Sequence, residues 1–284
     1  MRSDFEPKIF VHGAKLTRKA SATGDKDLAT ALKAYQKWKK GSLAVIDRTE
    51  QDIEKLVELL NIYKDTVEPL FDNRDNSAQE VLQPSILEEF FEYLFAPIAR
   101  EIGVDLPIRE PSAGFLELVF NPKNVQSLAS LPEYTIRRKD HDFILGSAVS
   151  MSLSDRARGA TKVEEIVVPA VAIEVKRYLE RNMLDECAGT ASRVKGTTPY
   201  CLYIIVAEYL KMDDCRPELS AIDEIYVLRR QKNSERISNT FSANPIYADL
   251  IVDIYTTVLA HLKRIWWDPD SALTTGKLFG LTKR

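Results

Sequence analysis

Two stretches of the chain place ionisable side chains where a buried strand would have to account for them. In Ala170-Val171-Ala172-Ile173-Glu174-Val175-Lys176, strand alternation puts Ala170, Ala172, Glu174 and Lys176 on one face and Val171, Ile173 and Val175 on the other. Glu174 and Lys176 then stand about 6.6 Å apart along the backbone, two steps of roughly 3.3 Å. The alanines leave room over that face. An ionisable pair at the exit of an apolar strand is costly unless it has partners or work to do. The segment Lys139-Asp140-His141-Asp142-Phe143-Ile144-Leu145-Gly146 supplies a partner: paired beside the first, it would bring Asp142 up to Glu174. Two carboxylates repel each other and would repel a phosphate. A hard divalent cation resolves both conflicts, and Mg²⁺ suits the set because it takes one or two carboxylates and fills its octahedron with water and substrate oxygens. Such an ion polarises a phosphoryl group and lowers the pKa of bound water. Lys176 could orient that water, help activate it, or offset transition-state charge.

The tripeptide alone says little, since Glu6-Pro7-Lys8 fits it too and a surface ion pair at a strand end would explain Glu174 and Lys176. The elements around it carry more weight. Up to about residue 105 the periodicity is helical: Ile53, Leu56, Val57, Leu60 and Tyr63 form one apolar stripe, and Ile86, Leu87, Phe90, Phe91, Leu94 and Phe95 a wider one on a helix near Ser85 to Arg100. Pro107 and Pro111 should end that region. The period then changes to two. Phe115 to Phe120, Asp142 to Leu145 and Ile166 to Lys176 read as strands, with Pro169 near the start of the last. A helix should begin at Asn182 as N-cap, with Asp185 and Glu186 in its first turn, and stop at Gly196. Tyr200 to Leu210 and Ile222 to Arg229 give two more strands, and Ile246 to Ile265 a last helix. The order from residue 85 is helix, three strands, helix, two strands. An antiparallel meander followed by a crossover into a neighbouring strand is the economical topology, with a mixed sheet. Ser147 to Glu165 reads as a hairpin extension or a mobile loop.

Composition narrows the function. With 284 residues and 45% apolar content the chain can bury a core, so disordered tails and disulfide miniatures are excluded. The net charge of −3 hides an uneven layout: residues 1–40 carry 10 basic and 4 acidic side chains, residues 41–110 carry 6 and 16. Any polyanion must therefore be met by local patches, with the acidic middle segment facing away. The longest apolar run is only Cys201 to Ala207, against about 20 residues for a membrane helix. The N-terminus has Asp4 and Glu6 and no apolar stretch, unlike a secretory signal, so a bacterial cytoplasmic location is expected. Cys187, Cys201 and Cys215 are odd in number and form no CxxC; they read as small buried apolar residues. No Ser-His-Asp order, GxSxG, P-loop or zinc spacing appears.

At Asp142, Glu174 and Lys176 the sequence resembles the PD-(D/E)xK nuclease superfamily, with His141 standing where that motif often has proline. The resemblance implies an α/β (α+β) fold with a restriction-endonuclease-like core, a mixed sheet flanked by helices. It implies Mg²⁺ held by Asp142, Glu174 and the Val175 carbonyl, with Lys176 at the active site. Longer stretches resemble the BbvCI-type restriction endonucleases: residues 63–95, 133–146, 167–211, 222–236 and 265–273, including EYTIRRKDHDFILG and VVPAVAIEVKRYLERNMLDEC. Those enzymes use two related subunits, each with its own site and each cutting one strand of an asymmetric double-stranded DNA sequence. This second resemblance implies a type II restriction endonuclease subunit of a restriction-modification system, working as a heterodimer with a related second subunit, forming 5′-phosphate products, and nicking when only one site is active. Two competing readings are a non-catalytic DNA-recognition or assembly subunit and a structure-specific repair nuclease.

Further candidates surround this motif. Glu88 and Glu89 lie on the helix before the first strand, where many nucleases of the superfamily place another metal-binding acid; by helical angle they read first as solvated. Arg137, Arg138 and Lys139 precede the Asp142 strand, and Arg177 and Arg181 follow Lys176, placed to grip phosphates. Arg229, Arg230, Lys232 and Arg236, interleaved with Gln231, Asn233 and Asn239, have the chemistry of base readers. Trp266 and Trp267 read as packing anchors. Residues 1–80 are expected to form a helical region that embraces DNA or meets the second subunit, and residues 81–284 the nuclease core with its C-terminal helix.

Overall fold

The structure, a computed structural model, describes residues 10–72, 76–129, 133–154, 159, 161–214, 216–238, 242–264, 266 and 269–276. Four long helices come first: α1 (Val11–Thr23), α2 (Lys26–Leu43), α3 (Glu50–Asp72) and α4 (Asn76–Leu94), then the short α5 (Ile98–Ile102). Gly24, at φ 63°, ends α1 in the left-handed conformation that glycine adopts without strain. Asp25 caps α2, accepting from the Asp27 and Leu28 amides at 2.8 and 3.3 Å. The chain continues through β1 (Ile108–Phe120), α6 (Val125–Leu128), β2 (Tyr134–Ser154), β3 (Thr161–Leu179), α7 (Arg181–Thr197), β4 (Leu202–Leu210) and β5 (Glu224–Val227). It closes with α8 (Asn233–Ser238), α9 (Ala248–Lys263) and α10 (Pro269–Thr275).

The sheet is mixed, in the order β1-β2-β3-β4-β5. β1, β2 and β3 form the antiparallel meander; β3, β4 and β5 run parallel. Pro111 does not precede the first strand: it lies inside β1, at the register shift between Glu110 and Ser112, where a missing N–H leaves no ladder bond unmade. Residues 147–154 pair with 161–168, so this stretch is the hairpin extension. Gly146 is required at its base, since a Cβ there would sit 2.4 Å from the Val168 carbonyl oxygen. α7 differs from its expected limits. Its N-cap is Glu180, with no side-chain cap bond, and Gly196 lies inside the helix. Asn182, Asp185 and Glu186 therefore fall past the cap. β3 runs three residues beyond Lys176, to Leu179, which moves the helix start.

One face of the sheet meets the helices: Val171, Ile173, Val175, Ile204 and Val206 share a core with α1 to α4 and α9. The apolar stripe of α4 is wholly inside it, with Phe91, Phe95, Phe143 and Tyr255 in ring contact. Burying each large side chain of this kind contributes about 1.5–3 kcal/mol. The opposite face, with Ala172, Tyr203, Ile205 and Ala207, packs on α7 through Leu184, Cys187, Ala191 and Val194. Cys187 and Cys201 are buried and free; Cys215 lies outside the described residues. Trp266 donates its indole N–H to the His261 carbonyl and stacks on Tyr200, as an anchor would; Trp267 and Asn239 lie outside the described residues.

On the helix-facing side at the end of β4, Glu208 is fully buried. It accepts from Lys64 of α3 at 2.8 Å and from Arg229 at 2.9 Å, and Arg229 also reaches Glu68 at 2.6 Å. This corrects one expectation. Arg229 is not a base reader but a buried clamp, and Gln231 likewise turns inward to the Ser242 carbonyl and the Asn244 amide. Burial would raise the Glu208 carboxyl, but Lys64 and Arg229 outweigh it and hold it down at about 2. A folded-state value below the unfolded one contributes stability above the ordinary carboxylate range, lost as pH falls through it. Chemical unfolding should show that loss between pH 4.5 and about 2, and Glu208→Gln should flatten it. Arg229→Met should cost about 3–5 kcal/mol in urea at neutral pH by leaving Glu68 and Glu208 to share Lys64 alone; an unchanged midpoint would contradict the clamp.

Candidate functional site

The β2–β3 ladder stops at Phe143↔Ile173. Beyond it β2 stays with β1 while β3 continues along β4 to Leu210. The wedge between the departing strands is where Asp142, Glu174 and Lys176 meet. A bulge shapes its wall. Between the pairs Glu110↔Ile144 and Ser112↔His141, β2 has one more residue than β1. The extra residue breaks strict alternation, so the consecutive His141 and Asp142 both turn toward β3.

The Lys176 ammonium lies 3.3 Å from Glu174 Oε2 and 3.5 Å from Asp142 Oδ2. Asp142 Oδ2 also accepts the Val175 amide at 2.7 Å, in place of the backbone bond the ladder has given up. Glu174 Oε1 is 2.7 Å from His141 Nδ1. The side chain of Glu174 is 5% exposed, against 27% for Asp142 and 24% for Lys176, so a substrate must approach across Asp142 and Lys176. The two acids are held in opposite senses. Burial raises Asp142 and outweighs the relief that Lys176 gives, and the neighbouring Glu174 adds to the rise. Burial would raise Glu174 too, but the His141 bond and Lys176 bring it below its ordinary value. Burial would lower the Lys176 ammonium, yet the two carboxylates more than offset it and keep the proton on.

Of the two candidate acids on α4, Glu88 and Glu89, neither is solvated. Glu88 is 9% exposed and Glu89 fully buried, because α1 covers the face that helical geometry leaves open. Glu88 pairs with Lys15 of α1 at 3.0 Å. Burial raises it first, and Asp142 and Lys176 are among the charges it feels, which places it at the border of the cluster. Glu89 turns away, accepting the Gly13 amide at 2.9 Å and the Tyr93 hydroxyl at 2.5 Å. Lys15 and His141 are the residues near this cluster to which sequence reasoning assigns no role. No motif marks Lys15, and His141 stands out only as a departure from proline.

The phosphate-gripping candidates separate. Lys139 pairs with Glu186 at 3.1 Å and also feels the Glu174 charge. Arg137 pairs with Glu117 at 2.9 Å, and Arg138 turns to Glu164 and the Glu165 carbonyl. Arg177 alternates to the other face of β3, where its charge acts on Glu208. Arg181 is exposed at the start of α7. Arg230 reaches Asp249, Lys232 reaches Asp213 at 2.5 Å, and Arg236 lies over the Tyr209 ring.

A hard divalent cation fits this donor set. Among the described residues no group of three or more His, Cys, Asp and Glu side chains could hold a metal ion. Two carboxylates sharing one ammonium do remain. That is the oxygen-only, incomplete shell that leaves room for water and substrate oxygens. Among the described residues no helix is long and apolar enough to cross a membrane.

Three comparisons with known proteins bear on the chain. The family model described as Bpu10I restriction endonuclease matches residues 79–278. Among solved structures, the native BbvCI A2B2 tetramer at low resolution contains a chain that superposes with a TM-score of 0.73 at 21% identity, over 92% of this chain and 99% of that one. At that identity the likeness is one of fold. No curated protein matches.

The raised Asp142 gives a test independent of catalysis. A group whose folded-state value lies above its unfolded one subtracts stability as pH rises through it. Without divalent cation, Asp142→Asn, which keeps an acceptor for the Val175 amide, should melt above the unsubstituted protein at neutral pH. The advantage should vanish as pH falls into the carboxylate range. A lower melting temperature at neutral pH would mean that the pair with Lys176 outweighs burial.

Proposed function

The chain belongs to the Bpu10I restriction endonuclease family, and from that premise we propose that it is the Mg²⁺-dependent subunit of a type II restriction endonuclease that cuts one strand of an asymmetric DNA site. A related second subunit cuts the other. Asp142, Glu174 and Lys176 form its catalytic centre. The observation that carries the assignment is the Lys176 ammonium bridging two carboxylates where β2 parts from β3.

Asp142 and Glu174, with the Val175 carbonyl, would hold the cation, with Glu88 at the margin of the shell; Glu89, tied to Gly13 and Tyr93, falls outside it. Bound there, Mg²⁺ polarises the phosphoryl oxygens and makes a neighbouring water easier to deprotonate. Lys176 keeps its proton between the two acids and meets the charge that develops on the phosphoryl oxygens during in-line attack. Water comes in on the open side, past Asp142, because Glu174 is closed off behind. The bond that breaks is phosphorus to the 3′-oxygen, leaving a 5′-phosphate and a 3′-hydroxyl. Lys139, which feels the Glu174 charge, would hold the adjoining phosphate, and Arg137, Arg138 and Arg181 would meet phosphates farther along the duplex.

The A2B2 composition of the BbvCI structure supports assembly with other subunits here. The basic surplus of residues 1–40 supports a DNA-embracing role for the helical region 1–80, set against the nuclease core of residues 81–284. A cytoplasmic location follows from an enzyme that must meet DNA.

Asp142→Asn, Glu174→Gln and Lys176→Met should each slow single-turnover cleavage of the assigned strand by roughly two orders of magnitude or more. At saturating divalent cation each should leave DNA binding intact, and with an active second subunit each should nick supercoiled plasmid. Double-strand breaks at the normal rate from any of the three would refute the catalytic assignment. Replacing the exposed Lys33, Lys37 and Lys40 by Gln should reduce the salt dependence of DNA binding, by roughly one unit of log–log slope for each lysine on a phosphate. An unchanged slope would place α2 away from the duplex.

A further inference from the structure

His141 is buried with no exposed side-chain surface, and its two ring nitrogens are treated differently. Nδ1 stands 2.7 Å from Glu174 Oε1. Nε2 has no hydrogen-bond partner among the described residues. An ionised carboxylate only accepts, so the proton between the two groups sits on Nδ1. The ring has little freedom to turn. Tyr203 of β4 meets it edge-on, centroids 5.9 Å apart at 78°. On the other side β1 presents Gly114, where a Cβ would come within 3.0 Å of Cδ2 and 3.2 Å of Nε2. Three neighbouring strands thus hold one imidazole against one carboxylate oxygen. The other oxygen, Oε2, is the one turned toward Lys176 at 3.3 Å.

We propose that His141 is a positioning residue: by donating its Nδ1–H to Oε1 it fixes the plane of the Glu174 carboxylate and presents Oε2 to the divalent cation. A proline before Asp142 has no side-chain donor and could not do this. Partners behind a ligating carboxylate set its orientation and are worth roughly 10- to 100-fold in metal affinity. The inference rests on Glu174 being a metal ligand, and the experiment separates the two.

With the full chain and its second subunit, Ca²⁺ serves as the probe cation. The half-saturating Ca²⁺ concentration for DNA binding is read by fluorescence anisotropy, beside the half-saturating Mg²⁺ concentration for nicking. His141→Leu should raise both by at least about tenfold, and His141→Gln, whose amide still donates, should return to within about threefold of the unsubstituted protein. If Glu174→Gln itself leaves the Ca²⁺ dependence unchanged, the metal-ligand reading fails and the positioning role with it. If Glu174→Gln shifts that dependence but His141→Leu does not, or Leu and Gln shift it equally, only the positioning role fails. Should the Leu variant not fold, ¹⁵N NMR of labelled histidine in the unsubstituted protein decides: a protonated Nδ1 upholds the role, and a bare Nδ1 overturns it.

Discussion

A single ammonium shared by two carboxylates, at the point where an antiparallel ladder comes apart, is the constraint on which the rest of this molecule is built. Neither acid could sit on that partly buried face alone. Asp142 is disfavoured by burial and by Glu174, and Glu174 is kept ionised against burial chiefly by His141 and Lys176. The charges are tolerated because each carboxylate has donors: the Val175 amide, the His141 ring and the Lys176 ammonium. Part of that satisfaction comes from a side chain replacing backbone. The Val175 amide gives its hydrogen to Asp142, so the ladder ends at Phe143↔Ile173 without stranding a buried donor. The opening of the sheet and the assembly of the acids are one event.

The two faces of β3 and β4 use the same chemistry to opposite ends. On the helix-facing side Lys64, Glu68, Glu208 and Arg229 close on one another, with Lys64, Glu208 and Arg229 almost wholly removed from solvent. Two cations meet two anions there, and what remains is a clamp between α3, β4 and the segment after β5. On the side toward α7, two anions meet one cation, and Asp142 and Lys176 stay partly open. The imbalance leaves a negative site able to admit a further positive charge, which is the electrostatic condition for holding a cation. Balanced and buried, the first cluster serves stability; unbalanced and open, the second is suited to binding.

The long helices are not an appendage to this arrangement. α4 packs its apolar stripe on the back of β2 and β3 and brings Glu88 to the edge of the acid cluster, while α1 lies over α4 and delivers Lys15 to Glu88. Helical-wheel reasoning leaves Glu88 and Glu89 solvated because it cannot see α1. The same limit explains the arginines. Arg177 follows Lys176 directly, but alternation sends it through the sheet to Glu208. Arg229 reads like a base contact until β4 and α3 close over it. The start of α7 departs from expectation for a related reason: β3 gains three further residues by pairing with β4, and tertiary pairing outweighs the capping preference of Asn182.

The sequence by itself determined the order of elements, the mixed sheet and the three side chains at its centre. Those follow from short-range physics: the switch of apolar period, and the alternation that puts Glu174 and Lys176 on one face after two alanines. What only the tertiary structure decided was which charges stand near those three and how they are held. The extra residue of β2 against β1 turns His141 and Asp142 to the same side, Gly114 makes room for the imidazole, and α1 covers α4. Each depends on contacts between segments far apart in the chain, and no local propensity encodes such a contact.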